Sequence, residues 1–457
     1  MSRWGTLRAA VSEWFDHLAL RTPARLVLGV FALVILVFTG LLSLPAATAS
    51  GHRAPLVDSL FVATSSVCVT GLTPVDMGTY WSPWGLAIIA LAMKTGGLGI
   101  MTLASVVGLA ISRRLGLTQR MLTAGEARAS GLGDLKILLN TIVVVSTVFE
   151  LIIALTLLPR FLSLDYGWGR SAGYSVFYAI SAFNNTGFTP NPDGLNPFVS
   201  DAWVLLPLGV GVFVGGLGFP VYLTVMRHWR SPRRWTLHTK LTLVTTLVIT
   251  VASTALLLLF EGGNPATLGS ASALRTVGSS LFHAVNQGSG GFATYDVSEA
   301  HGYTWLLDDV VMFIGGGSGS TAGGIRVTTL AVLLLAIWAE ARGRRDLEAF
   351  RKRIGTMVLR QAVSVTLVSL TLVIVGTGVL MWQTGLGLDQ ALYEAVSAFA
   401  TCGLSTGITS ELGTGAKVTL IVMMYLGRVG TVTVAGALAL NLQRRVIRYP
   451  SERPLIG

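Results

Sequence analysis

The chain has 457 residues, of which 52% are hydrophobic and 12% charged, about half the ~25% charge of soluble domains. With a mean hydropathy of +0.67, that balance excludes a soluble multidomain protein, a disordered chain and a disulfide scaffold, and leaves an integral membrane protein. The formal charge of +11 does not point to nucleic acid, because all but eight of the 33 Lys and Arg fall in five short segments, 1–25, 113–136, 227–240, 342–360 and 444–453.

Basic segments alternating with apolar stretches follow the positive-inside rule. Both termini, 1–24 and 444–457, and the three loops are therefore expected in the cytoplasm, next to anionic lipid headgroups. The N-terminal segment does not read as a cleavable signal, because the apolar run Leu26–Ser50 is too long for one. The basic segments cut the chain into four blocks, 25–112, 137–226, 241–339 and 361–443. Each opens with a long apolar run: Leu26–Ser50, Ile137–Pro159, Leu241–Phe260 and Gln361–Leu388. Each closes with another: Trp81–Ile111, Ala202–Met226, Val310–Ala339 and Val418–Gln443. Runs of this length span ~30 Å of hydrocarbon as helices. With both ends of a block inside, each block crosses twice, and its middle piece dips in from outside. The predicted architecture is all-α: eight transmembrane helices and four re-entrant pore loops.

The middle pieces align with one another. They read FVATSSVCVTGLT from Phe61, FYAISAFNNTGFT from Phe177, FHAVNQGSGGFAT from Phe282 and YEAVSAFATCGLS from Tyr393. Each starts with an aromatic and ends near a glycine: Gly71, Gly187, Gly291 or Gly403. The third segment is one residue shorter and reads GSGG before its phenylalanine. Non-helical backbone at membrane depth must line a water-filled path, and glycine lets carbonyls turn to one side. Four such segments around an axis make a ring of carbonyl oxygens that replaces the hydration shell of a monovalent cation. Half-helices preceding them aim their negative dipole ends at the centre. No acidic residue stands beside the four glycines, and Glu394, nine places before Gly403, is the one acid in these segments, which argues against a divalent-selective carboxylate ring. The ion-binding set expected is Val69, Thr70 and Gly71; Asn185, Thr186 and Gly187; Gly290 and Gly291; and Thr401, Cys402 and Gly403.

The closing runs share a second motif, GGLG at Gly96 and again at Gly215, with Gly427 and Gly430 in block four and GGGSGSTAGG in block three. A glycine inside a helix costs ~1 kcal/mol relative to alanine, so the third run is expected to break into a flexible intramembrane loop. That loop comprises Gly315, Gly316, Gly317, Ser318, Gly319, Ser320, Thr321, Ala322, Gly323 and Gly324. Three cations sit within these helices, and cations at that depth are costly. Arg428 is too deep to snorkel easily. Arg326 either pairs with an acidic group or caps carbonyls, and Lys94 has no assignment. His283 is expected to pack or hydrogen-bond, and Cys68 and Cys402 to be small thiols facing the core. No catalytic order of residues, metal cluster or nucleotide fingerprint appears, so no enzymatic activity is expected.

The four repeats, the SAFNNTGFT segment and the Gly-rich third closing run together resemble the membrane subunit of bacterial Ktr/Trk potassium uptake systems. The likeness runs from about Arg25 to Gln443, and the eight-helix length is similar to the Ktr type, since residues 1–24 leave no room for extra helices. The resemblance implies potassium as the transported ion, because a glycine in all four filter segments goes with potassium in that family. It also implies a gating role for residues 315–324, with Arg428 just below the filter beside that loop. A homodimer, a cytosolic ring of nucleotide-binding regulatory subunits and a bacterial inner-membrane location follow on the same ground. Arg233, Arg234, Arg344, Arg345, Arg351 and Arg353 are candidate docking residues. Na+ as a coupling or activating ion stays open, and so do two alternatives: a sodium-permeable member of the family, and a secondary transporter with a midplane solute site.

Overall fold

The computed structural model describes residues 23–114, 132–192, 194–269, 272–344 and 346–430. The first basic segment up to residue 22, the basic C-terminus, the end of the fourth block and Arg345 lie outside the described residues.

Each block folds as the same sequence of pieces. In the first, α1 (Pro23–Leu42) is followed by a short buried helix α2 (Leu56–Val67) and a long helix α3 (Pro83–Arg114). In the second, α4 (Leu132–Leu162) and α5 (Trp168–Phe183) precede α6 (Ala202–Leu217) and α7 (Phe219–His228). In the third, α8 (Leu237–Glu261) and α9 (Ala273–Gln287) precede α10 (Gly302–Ile314) and α11 (Val327–Ala341). In the fourth, α12 (Thr356–Thr384) and α13 (Leu388–Ala400) precede α14 (Thr414–Tyr425), which runs into a π-helical turn over Leu426–Gly430.

The short helices α2, α5, α9 and α13 form the interior. All but one residue of α2 from Ser59 onward is buried, and α13 is buried almost throughout. One apolar core joins the first and fourth blocks through Phe61, Tyr393, Phe399 and Leu420. A second joins the second block to α9 through Phe183, Leu208 and Phe282. The long helices stand outside and turn apolar side chains outward, among them Leu247, Val251 and Leu259 on α8 and Leu367, Ile374 and Val375 on α12. A helix that is apolar on its exposed face suits lipid. Among the described residues, four helices are long and apolar enough to cross a membrane, within Pro83–Thr102, Leu139–Leu162, Leu237–Glu261 and Thr356–Thr384, and the bent pair α6–α7 would be a fifth.

Two features depart from the sequence reading, the break at the second GGLG and a β-hairpin. The GGLG of the first block does not interrupt its helix, and α3 runs straight through it. The GGLG of the second block does: α6 and α7 meet at 97°, at Gly218 with φ 96°, followed by Pro220. The fold is also not wholly helical. Residues Leu347–Ala349 (β1) and Lys352–Ile354 (β2) form an antiparallel hairpin in register Leu347↔Ile354. Its two-residue turn, Phe350–Arg351, has φ of 50° and 63°, the left-handed pair that such tight turns require. Leu347, Ala349 and Ile354 pack on Leu241, Ala331 and Val332, which secures the hairpin without the Asn-Gly turn that normally announces one.

Candidate functional site

The four glycine segments meet around one axis. Gly71, Gly187, Gly291 and Gly403 all have positive φ, 100°, 84°, 70° and 95°, a conformation that glycine adopts without strain. A Cβ on Gly71 would meet the Thr186 carbonyl and Gly403, one on Gly187 would meet Gly291 and the Gly290 carbonyl, and one on Gly291 would meet the Cys402 and Thr186 carbonyls. One on Gly403 would meet the Thr70 carbonyl and Gly71. The glycines thus neighbour one another in a closed ring, and the carbonyl preceding each glycine lies against an adjacent segment. Two residues before the glycine, Val69, Asn185 and Thr401 are also left-handed, at φ 57°, 59° and 49°. The third segment differs: Ser289, at φ 159°, is nearly extended.

The break after α10 packs against the segments that carry this ring. Thr321 Oγ1 sits 3.2 Å from the Phe183 carbonyl, 3.1 Å from Asn185 Oδ1 and 3.0 Å from the Gly215 carbonyl. The Gly323 N–H donates to Ser289 Oγ (3.1 Å), which donates to the Thr401 carbonyl (3.1 Å). The Gly317 N–H donates to the Gly216 carbonyl (2.8 Å) and the Phe219 N–H to the Gly319 carbonyl (3.2 Å), so the kink between α6 and α7 and the glycine loop hold each other. Arg428 is fully buried. Its Nη1 donates to the Ala322 carbonyl (3.0 Å) and lies 3.5 Å from Thr401 Oγ1, touching loop and fourth segment together. Arg326 Nη1 donates to the carbonyls of Ala322 (2.5 Å) and Gly317 (3.2 Å). Of the two roles open for Arg326, the capping of carbonyls is the one observed.

Residues 33–446 match the TrkH family, described as a cation transport protein. This chain belongs to that family. It is 36% identical over 438 residues to the Ktr system potassium uptake protein B of Bacillus subtilis, covering 95% of this chain and 97% of that one. It is 35% identical to the protein of the same name from Vibrio alginolyticus, over 95% of this chain and 94% of that one. To the potassium/sodium uptake protein NtpJ of Enterococcus hirae it is 30% identical, over 95% and 97%. The fold is similar to the crystal structure of the potassium transporter TrkH from Vibrio parahaemolyticus, with a TM-score of 0.66 at 18% identity, covering 88% of this chain and 83% of that chain.

Some residues that shape the site escaped the sequence reading. Ser65, Ser181 and Ser397, each four places after the opening aromatic, brace their segments. The Gly71 N–H donates to Ser65 Oγ (3.0 Å) and the Gly403 N–H to Ser397 Oγ (3.1 Å), while Ser181 Oγ donates to the Phe188 carbonyl (2.8 Å). Their common position in the aligned segments was the available signal. Gly96, Gly215 and Gly427 have an equivalent purpose. A Cβ on each would strike the carbonyl of Val67, Phe183 or Phe399, four residues before the ring glycine of the same block. Lys94 pairs with Glu150 on α4 (2.6 Å) and also reaches Ser146 Oγ (2.9 Å). Glu150 Oε1 accepts from Asn184 Nδ2 at the end of α5 (3.0 Å). The network carries one positive and one negative charge and so neutralises itself at depth. Both cysteines are free thiols in the interior.

Proposed function

We propose that this protein takes up potassium across a bacterial cytoplasmic membrane through the ring of main-chain carbonyls around Gly71, Gly187, Gly291 and Gly403. The observation that carries the reading is the closed ring itself, with the carbonyls of Thr70, Thr186, Gly290 and Cys402 each set against a neighbouring segment. Four strands of oxygen dipoles, without a carboxylate, match a weakly hydrated monovalent cation. The half-helices α2, α5, α9 and α13 end at the ring and turn partial negative charge toward it. Two relatives carry the name potassium uptake protein.

In this reading each block contributes two spans and one re-entrant loop, both termini are cytoplasmic, and residues 315–324 close the path below the ring. Arg428 anchors the loop and repels cations beneath the filter, by ~4 kcal/mol at 4 Å in an effective dielectric of 20. Two copies form the membrane unit, and a separate cytosolic nucleotide-binding subunit controls the loop. The name of the relatives, Ktr system, supports a protein that works with others. Arg233, Arg234, Arg344, Arg351 and Arg353 supply basic surface on the expected cytoplasmic side. A second reading, shared potassium and sodium uptake, is favoured by the potassium/sodium relative.

Flux of potassium against sodium in vesicles holding the purified protein tests both. Potassium should be preferred in the parent, and Gly71→Ser should raise sodium relative to potassium. Equal fluxes in the parent support the second reading. A sodium-to-potassium ratio that stays fixed through serine substitution at all four glycines would sink the filter assignment.

A further inference from the structure

The third filter segment lacks the brace that the other three share. Its residue four places after the opening aromatic is Asn286 rather than serine. The Asn286 amide turns back to donate to the Phe282 carbonyl of its own helix (2.8 Å), and its Oδ1 has no hydrogen-bond partner. The segment is also one residue shorter, and Ser289 does not take the left-handed turn of its counterparts.

Support reaches it instead from α10. Asp308 accepts a hydrogen bond from Gln287 Nε2, and Gln287 is the last residue of α9, just ahead of the segment. His283 Nε2, one turn earlier, lies 3.3 Å from both Asp308 oxygens. Tyr393 OH, on the fourth half-helix, donates to Asp308 Oδ2 (2.9 Å). All four side chains are fully buried. The Gln287 carbonyl in turn accepts from Cys402 Sγ (3.3 Å), beside the fourth ring glycine.

The asymmetry is written in the sequence twice. Asp308 stands seven residues before Gly315, and the positions seven before Gly96, Gly215 and Gly427 are Ile89, Leu208 and Leu420, all buried and apolar. The four opening aromatics are Phe61, Phe177, Phe282 and Tyr393, and only the fourth has a hydroxyl to offer. A carboxylate without donors is costly in the interior, so Asp308 and its three donors stand or fall as one unit. The unit occurs only where the serine brace is missing.

We propose that Asp308 is a positioning residue for ion selectivity: it sets the third filter segment, through Gln287 and His283, and ties it to the fourth through Tyr393. The proposal rests on the filter reading above. Asp308→Asn exchanges one acceptor for a donor that faces donors, so the Gln287 amide must flip or the Tyr393 hydroxyl must change from donor to acceptor, and the charged acceptor that holds the three together is lost.

The test is the potassium-to-sodium flux ratio in vesicles for Asp308→Asn, Tyr393→Phe and Gly291→Ser, with Asp309→Asn as the neighbouring carboxylate outside the unit. Losing hydrogen bonds to a charged acceptor should lower the ratio roughly tenfold in Asp308→Asn. Tyr393→Phe should lower it less and in the same direction, and Asp309→Asn should leave it unchanged. If Asp308→Asn does not fold, Tyr393→Phe carries the test alone. Potassium and sodium fluxes that fall by one common factor in these variants, with Gly291→Ser shifting the ratio, overturn the inference and leave the filter standing. A ratio unmoved by serine at all four ring glycines as well overturns both.

Discussion

In the first block α3 passes unbroken through Gly96, Gly97 and Gly99, whereas in the third α10 stops at Gly315 and helix resumes only at Val327. Both stretches are glycine-rich, so glycine content does not separate them. In α3 the glycines keep helical φ and make room: a Cβ on Gly96 would strike the Val67 carbonyl and one on Gly97 the Asn184 side chain. In the third block Gly315, Gly319 and Gly324 have φ of 72°, 77° and 75°, so glycine there is a conformational requirement. One stretch gives up side chains to let a half-helix end lie against it. The other leaves the helix and is held by hydrogen bonds from Thr321, Arg326 and Arg428.

The contrast can be attacked first where α3 is tied to α4. Glu150→Ala would leave Lys94 without its counter-charge in a mostly buried site, a loss of about 3 kcal/mol. The thermal midpoint in detergent should fall, and Lys94→Met combined with Glu150→Leu should restore it toward the parent. A midpoint untouched by Glu150→Ala would mean that α3 owes its rigidity to packing alone.

The loop should respond in flux rather than in stability. Arg428→Ala removes the bond to the Ala322 carbonyl, and a hydrogen bond from a charged donor is worth about 1.5–3 kcal/mol. The closed position should weaken by roughly tenfold or more. Potassium flux without a cytosolic partner should rise accordingly, and deleting several loop glycines should do the same. Should both variants fold yet conduct no faster than the parent, residues 315–324 are a structural kink.

Overpacking gives a finer probe of the same contrast. Gly96→Ala presses on the main chain of a half-helix, which cannot yield as a side-chain tip can, so a loss of about 1–3 kcal/mol is expected. Gly218→Ala should cost about as much for another reason. It sits at φ 96° and ψ 150°, a region essentially confined to glycine where another residue costs about 1–3 kcal/mol, and its Cβ would lie 2.7 Å from the Ser318 carbonyl. Melting curves of the two variants check both values.

The ring was legible because four copies of one segment align, and no single copy would have carried it. The loop was legible because no helix accommodates GGGSGSTAGG. What stayed hidden depends on partners distant in sequence. Lys94 meets Glu150 from a separate helix, 56 residues on, and hydropathy does not reveal which faces of α3 and α4 meet. The hairpin at Leu347–Ile354 hides because Phe350–Arg351 is no recognisable tight turn, and its stability comes from packing on α8 and α11. The two GGLG motifs are identical in letters. One bends by 97° where the Gly319 carbonyl of the loop accepts a bond from the Phe219 N–H, and among the described residues no loop of this kind meets the other.

The smallest expected effect is the sharpest on that last point. Gly99 is the counterpart of Gly218, the last glycine of the first GGLG. It lies inside a continuous helix, and a Cβ there would find only the ring edge of Phe31, at 3.4 Å, an ordinary contact. Alanine is favoured over glycine in a helix interior by ~1 kcal/mol, and no close backbone opposes it. Gly99→Ala should therefore be neutral or stabilise by up to about 1 kcal/mol, while Gly218→Ala destabilises. The sign depends on the neighbour: a phenyl edge can shift by a few tenths of an ångström, whereas the Ser318 carbonyl is fixed within a hydrogen-bonded loop. If Gly99→Ala lowers the thermal midpoint as much as Gly218→Ala does, α3 needs a flexible point at Gly99, and the first and second blocks are more alike than their helices suggest.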